Sequence, residues 1–170
     1  MILYRNGFGL FDQENLAIKF GVKIAPEYAT AFSETMPVMT QKNFDEGIQT
    51  VESESHINRF LGEQAPALKA ISFKHSAIAQ LPDFLSTQIK ANHDIWVEYH
   101  AQEIHAGDEE NGDYIHDGLV ESFDPASGHV TVIDPMPKHK QRLNISLQVL
   151  EKAISNKYGR ETGFVVIERK

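Results

Sequence analysis

The feature that most restricts the fold of this chain is a pair of strand-like segments joined by a turn in its second half. Residues 114–123 and 129–133 contain aromatic and β-branched side chains, and the turn residues Asp-Pro-Ala-Ser-Gly of 124–128 join them. Such side chains are typical of strands, and Asp, Pro, Ser and Gly favour tight turns. We therefore predict an antiparallel hairpin over 114–133. Because an isolated hairpin is only marginally stable in water, this hairpin requires a larger sheet with a covered face.

The elements around the hairpin are predicted from periodicity and from capping residues. Apolar residues at helical spacing predict four helices. The first covers 8–20 and ends at Gly21, and the second runs from Ser53 or Ser55 to Leu61 and ends at Gly62. The third covers 82–91, with Pro82 in its first turn and Asn92 closing it, and the fourth runs from a Ser146 cap to about Asn156. Short apolar or alternating runs predict strands at 68–73, 95–99 and 164–167.

The remaining segments carry weaker signals. Residues 26–33 could form a short helix, whereas 34–50, 101–113 and 138–142 lack periodicity and are expected to be loops. Helices come first and mainly antiparallel strands later, so the pattern favours an α+β fold over alternating βαβ units. The length of 170 residues is that of one ordinary domain, and we expect a single domain over 1–170.

Composition excludes several classes of function. The chain has no cysteine, which rules out disulfides, thiolate metal sites and every mechanism with a cysteine nucleophile. Its formal net charge of −8 repels phosphate backbones and anionic lipids, so we expect no nucleic-acid partner. No apolar run approaches the roughly 18 residues of a membrane span, and the first residues lack a signal-peptide pattern. The expectation is a cytoplasmic protein without direct membrane insertion.

His116 and Asp134 are the first candidate site residues. His116 stands at the start of one hairpin strand and Asp134 just past the end of its partner, so antiparallel pairing brings them to one rim of the sheet. A carboxylate there would fix the imidazole tautomer, as in acyl-transfer triads. The alternative interpretation is an ordinary turn at Asp134-Pro135 and a structural histidine, and the pair alone does not decide between them.

Metal and cofactor sites are less well supported. A zinc site could draw on His100, His105, His116 and Asp117, because neutral imidazoles and carboxylates suit zinc. Their spacing matches no helical pair of the HExxH type, so we interpret His100 and His105 as solvated surface residues and predict no metal. The loop 103–113 carries five acids and no base, which is typical of a solvated loop or of a surface that meets a basic partner. The sequence has no Gly-x-Ser-x-Gly motif and no full phosphate-binding glycine motif, so no cofactor is predicted.

The order of these features resembles the papain-like peptidases that trim double-glycine leader peptides of bacteriocins. That family opens with Cys-Gly at the start of a buried helix that ends in a Tyr/Phe-Gly-Val step, and Phe8-Gly9 stands in that register before Phe20-Gly21-Val22. Its catalytic His enters a hairpin that an Asp-Pro follows, as His116 and Asp134-Pro135 do here. The resemblance implies a papain-like α+β fold, with N-terminal helices packed on a mainly antiparallel sheet. It also implies a ligand-binding cleft lined by Phe8, Gly9, His116 and Asp117.

The sequence departs from that family at two catalytic positions. Phe8 occupies the register of the nucleophilic cysteine, and Ile2, Leu3 or Tyr4 stands where the family has the glutamine that donates to the oxyanion. The resemblance therefore implies a degenerate, non-catalytic relative that binds a peptide or protein segment, in peptide export or in peptide biosynthesis. The alternative is a hydrolase or acyltransferase in which His116 and Asp134 act as a general base without a covalent intermediate.

Overall fold

The computed structural model describes residues 51, 53–105, 114–135, 141–155 and 161–170, together with residues 2, 6–8, 15, 18, 19, 30, 34 and 38. The helix predicted over 8–20 lies mostly outside the described residues, although Asn15, Ile18 and Lys19 are helical. The short helix at 26–33 and the loop at 34–50 also lie largely outside them, as do Gly9 and Gly21.

Helices and strands alternate irregularly along the described part of the chain. They are α1 (Glu54–Gln64), β1 (Leu68–Lys74), α2 (Leu81–Lys90), β2 (Asp94–His100), α3 (Ala101–Ile104), β3 (Ile115–Asp124), β4 (His129–Ile133), β5 (Arg142–Ser146), α4 (Leu147–Ile154) and β6 (Gly163–Arg169). The strands form one six-stranded sheet in the order β1-β6-β2-β3-β4-β5, and every neighbouring pair is antiparallel. The predicted α+β class and the mainly antiparallel sheet are confirmed.

The sheet is covered on both faces. On the face that we call the α4 face, α2 and α4 pack against strand residues such as Val97, Tyr99 and Val132. On the opposite face, the α1 face, α1 packs against residues such as Ala70 and Val165. Successive residues of a strand point to opposite faces, so this arrangement explains why β2 and β6 are buried along most of their length. Among the described residues no helix is long and apolar enough to cross a membrane.

The strands of the hairpin and the predicted strands at 68–73, 95–99 and 164–167 are confirmed, and each observed boundary lies within two residues of the predicted one. The C-terminal strand lies between β1 and β2 in the interior of the sheet. Two helix boundaries are confirmed as well. Ser146 caps α4 by accepting a hydrogen bond from the Val149 N–H at 3.3 Å, and Asn92 ends the turn after α2 with a φ of 58°.

The predicted end of α1 is wrong, because the helix continues through Gly62 to Gln64. Gly62 is an exposed helix position, where glycine costs only about 1 kcal/mol relative to alanine, and Pro66 ends the helix by restricting Ala65 instead. Ser53 does occupy the N-cap position, but its side chain makes no capping hydrogen bond. At its other end α4 stops at Ile154 rather than near Asn156.

Two elements lie where the sequence predicts loops. Residues 142–146 form β5, so Arg142 is the first residue of a strand. Its residues Arg-Leu-Asn-Ile-Ser alternate polar with apolar side chains, a pattern that favours a strand, so the assignment of Arg142 to a basic loop was wrong. Residues 101–104 form the single helical turn α3, which then carries His105 at its end.

Candidate functional site

The Asp134 carboxylate is the centre of a buried polar cluster on the α4 face. Its side chain is 0% exposed, and its two oxygens accept hydrogen bonds from three groups. His116 Nε2 donates to Oδ1 at 2.8 Å, while His105 Nε2 and the Tyr99 hydroxyl donate to Oδ2 at 2.8 and 3.2 Å. The side chains of His105 and His116 are 7% and 13% exposed. The predicted pairing of His116 with Asp134 is thus present, with two further partners.

Strand register places three of these side chains together. Tyr99 on β2 lies directly opposite His116 on β3, so both point to the α4 face, and their rings meet edge to face with centroids 5.5 Å apart. Asp134 follows β4, the next strand, and its N–H donates to the Gln141 carbonyl at 2.9 Å. This hydrogen bond at the start of β5 holds the Asp134 backbone beside His116.

The turn α3 supplies the fourth side chain. The Ala101 N–H donates to the Tyr114 carbonyl at 3.1 Å, and the His105 N–H closes the turn on the Ala101 carbonyl at 2.8 Å. Glu103 forms an ion pair with Lys152, which fastens α3 to α4. These contacts bring His105, eleven residues before His116 in the sequence, to the same carboxylate.

Gly118 gives the cluster the space that it needs. A Cβ atom there would lie 2.8 Å from Val132 Cγ1, 3.0 Å from the Ile133 carbonyl oxygen and 3.2 Å from Tyr99 Cε1. Because these distances are shorter than ordinary contacts, only glycine allows Tyr99 to lie so close to β3. The glycine two residues after His116 therefore helps to place the hydroxyl of Tyr99 on Asp134.

The electrostatics of the cluster define which groups donate. Burial raises the pKa of the Tyr99 hydroxyl far above its ordinary value of 10.0, and the nearby Asp134 carboxylate raises it further. Tyr99 therefore remains a hydrogen-bond donor across the physiological pH range. An ionised Asp134 requires a proton on Nε2 of each neutral imidazole, which leaves Nδ1 as the basic nitrogen. The arrangement can thus orient His116 to take a proton through Nδ1.

Two other residues predicted for the cleft, Phe8 and Asp117, lie on the α1 face. Phe8 is half-buried and packs against the apolar core of that face together with Ile2 and Trp96. Asp117 accepts a hydrogen bond from Trp96 Nε1 at 3.0 Å and lies opposite Glu98 on β2. Neighbouring residues of one strand point in opposite directions, so His116 and Asp117 cannot line the same surface of the sheet. The structure brings His116 to Asp134 but brings neither Phe8 nor Asp117 to that pair.

Sequence analysis missed Tyr99 and misassigned His105. Tyr99 could have been found, because a strand at 95–99 paired with the hairpin places it near His116. His105 was interpreted as a solvated surface residue, whereas it is buried against Asp134. His100 is buried on the opposite side of β2, so it does not join His105. Over the described ranges, no group of three or more His, Asp or Glu side chains is placed to hold a metal ion.

Comparison with known proteins supports the fold. No protein-family model matches the sequence, and no curated protein matches it. Among solved structures, the chain is similar to the crystal structure of a Bacillus anthracis protein described as a C39-like peptidase, with a TM-score of 0.57 and 14% identity. The match covers 99% of this chain and 84% of the other. At this identity the likeness concerns architecture alone, and the chain has a C39-peptidase-like α+β fold.

Proposed function

We propose that this chain is a peptidase-like domain that binds a peptide or protein segment without attacking it covalently. The observation that carries the proposal is the buried His116–Asp134 pair, held at 2.8 Å within a peptidase-like fold, in a chain that contains no cysteine. The pair matches the histidine and orienting carboxylate of an acyl-transfer site, and the cysteine that would act as nucleophile is absent from the sequence.

The surroundings of His116 support a binding role. Besides Asp134, the ring lies against two tyrosine rings, with centroids 5.5 Å from Tyr99 and 6.0 Å from Tyr114. Tyr99 is fully buried, whereas Tyr114 is half-buried, so the Tyr114 ring can contact a peptide by packing and hydrogen bonding. Tyr99 is committed to Asp134 and cannot ionise at neutral pH, so it does not act as a phenolate nucleophile.

A second candidate function is hydrolysis by a water molecule that His116 deprotonates. The observation that favours it is the same hydrogen bond, because Asp134 on Nε2 leaves Nδ1 as the basic atom of the ring. This route needs no nucleophilic side chain. It predicts cleavage that disappears when His116 is replaced.

A peptide array read by mass spectrometry separates these functions. The wild-type chain is applied to immobilised ten-residue peptides. Each peptide that binds the chain is then incubated with it in solution, and we expect that peptide to be recovered intact. His129→Ala is the matched control for His116→Ala, because His129 is an exposed histidine on the partner strand, at the opposite end of β4 from Asp134.

Each outcome of the array has one meaning. If wild type and His129→Ala cleave a peptide and His116→Ala does not, the chain is a hydrolase and the non-catalytic binding function is wrong. If no peptide of the array is retained or cleaved, the proposed function is refuted. Retention of peptides without cleavage supports it.

A further inference from the structure

We propose that the outer edge of β5 takes up an extended peptide as an added strand of the sheet. The inference rests on the proposed function and specifies where and how the peptide binds. Its basis is a difference between the two edge strands, β1 and β5, which lie at opposite ends of the strand order.

The edge at β1 is closed by groups of α1 and its C-terminal end. Asn58 acts as a substitute strand, since its amide donates to the Ala70 carbonyl and accepts from the Ala70 N–H, both at 2.8 Å. Glu54 accepts from the Ser72 N–H at 2.7 Å, and the Leu68 N–H donates to the Ala65 carbonyl at 2.8 Å. The outward N–H groups of Leu68, Ala70 and Ser72 are thus satisfied within the chain. Proteins commonly block an edge in this way to prevent pairing with other chains.

The edge at β5 has no such cover within the described ranges. The Gln141 carbonyl accepts from Asp134 and the Leu147 N–H donates to Gly128, so the odd-numbered residues direct their backbone groups toward β4. The backbone groups of Arg142 and Asn144 therefore point away from the sheet. In the described part of the chain no hydrogen bond engages these outward N–H and carbonyl groups. Donors and acceptors that repeat every second residue fit an extended peptide backbone.

Side chains along β5 define the chemistry of the peptide. Leu143 and Ile145 lie opposite the core residues Val132 and Val130 and are only half-buried, so they extend an apolar row to the edge. Arg142 on the other face is engaged by Glu121 through two nitrogens, at 2.7 Å each, which neutralises its charge locally. The matching ligand has β-branched apolar residues at alternate positions, with uncharged residues between them. The net charge of −8 further disfavours acidic peptides.

The position of this edge connects it to the His116–Asp134 pair. Gln141, which precedes β5, accepts the hydrogen bond from the Asp134 N–H. A peptide that pairs with β5 would therefore run toward the end of the sheet that holds the buried cluster. The bound backbone would then lie beside β5, with β4 and β5 between it and β3, which carries His116.

The test uses a fluorescein-labelled peptide, Lys-Gly-Val-Thr-Val-Thr-Val-Gly-Lys, and fluorescence anisotropy with the full chain. We expect Asn144→Pro to weaken binding at least tenfold, because proline removes an outward N–H that β4 does not use. Asn144→Ala keeps that N–H and should bind within threefold of wild type. Circular dichroism and Trp96 fluorescence establish that both variants are folded.

A second measurement needs no variant of the protein. N-methylation of one alternate set of peptide residues should abolish binding, and methylation of the other set should leave it unchanged, because only one set faces the edge. Equal binding by Asn144→Pro and by both methylated peptides would overturn the edge proposal while leaving peptide binding intact. The edge proposal would also be overturned if this peptide does not bind while peptides of the array do. If no peptide binds, the proposed function is refuted as well. A dimer in sedimentation equilibrium that Asn144→Pro abolishes would assign the edge to a second copy instead.

Discussion

Replacement of Asp134 by alanine tests whether one carboxylate holds the buried cluster together. The change removes the acceptor of three hydrogen bonds, from His105, His116 and Tyr99. A hydrogen bond to a charged group contributes about 1.5–3 kcal/mol, but the three bonds share one acceptor and are not additive. A buried neutral donor left without an acceptor costs about 1–3 kcal/mol, and three donors lose their acceptor here. We expect the free energy of unfolding of Asp134→Ala to fall by at least about 3 kcal/mol.

Asp134→Asn separates the charge from the hydrogen bonds. Its single carbonyl oxygen can take the position of Oδ2 and keep the donors Tyr99 and His105, while its amide donates to His116 Nε2. The proton of His116 then moves to Nδ1, so the fold keeps every hydrogen bond but loses the charge. We expect a loss of only about 1–2 kcal/mol for this variant. The ¹⁵N chemical shifts of the His116 ring should show protonation at Nδ1 instead of Nε2.

The assay is urea unfolding at pH 7.5 followed by Trp96 fluorescence, the signal of the single tryptophan. Glu151→Ala is the matched control, because it removes an exposed carboxylate from α4 and should change the free energy of unfolding by less than about 0.5 kcal/mol. A loss below about 1 kcal/mol for Asp134→Ala would refute the reasoning that three buried donors depend on this residue.

Three further predictions concern the rest of the fold. Gly163→Ala should destabilise the chain by about 1–3 kcal/mol in thermal unfolding, because its Cβ would overlap the Phe73 carbonyl oxygen of β1. Gly62→Ala, in open space on α1, should instead stabilise it slightly. The hydroxyl of Ser127 and a backbone N–H lower the pKa of Asp124, so the carboxylate stabilises the hairpin turn above its ordinary pKa of 3.8 and loses that effect as pH falls through the lowered value. The difference in unfolding midpoint between wild type and Asp124→Asn should therefore vanish in acid. Asn58→Leu removes both hydrogen bonds to the β1 edge and should produce concentration-dependent self-association in sedimentation velocity.

The hairpin of β3 and β4 could be predicted because strand-forming residues flank a turn whose residues join the two strands. β5 also alternates polar with apolar residues over Arg142–Ser146, but the basic residues before it favoured a loop over 138–142. Its place at the edge of the sheet beside β4 depends on a tertiary contact, which no local pattern encodes.

The candidate site could also be predicted only in part. His116 and Asp134 lie at ends of one hairpin, so antiparallel pairing alone predicts that they meet. Tyr99 and His105 come from a neighbouring strand and from α3, and their arrival depends on tertiary contacts such as the ion pair of Glu103 with Lys152. Grouping Asp117 with His116 ignored the alternation of side chains along β3, which separates the two residues without reference to any structure.

The partners of Asp134 explain how the pair can persist in a chain without cysteine. A buried polar group is tolerated when its hydrogen bonds are satisfied within the protein, and it is costly when they are not. Here the carboxylate is satisfied by two imidazoles and a phenol, all from residues on the same face of the sheet or on α3. None of these hydrogen bonds requires a nucleophile beside His116. The cluster therefore stabilises the fold independently of catalysis, and a variant that loses His116 should unfold more easily whether or not the wild-type chain cleaves any peptide.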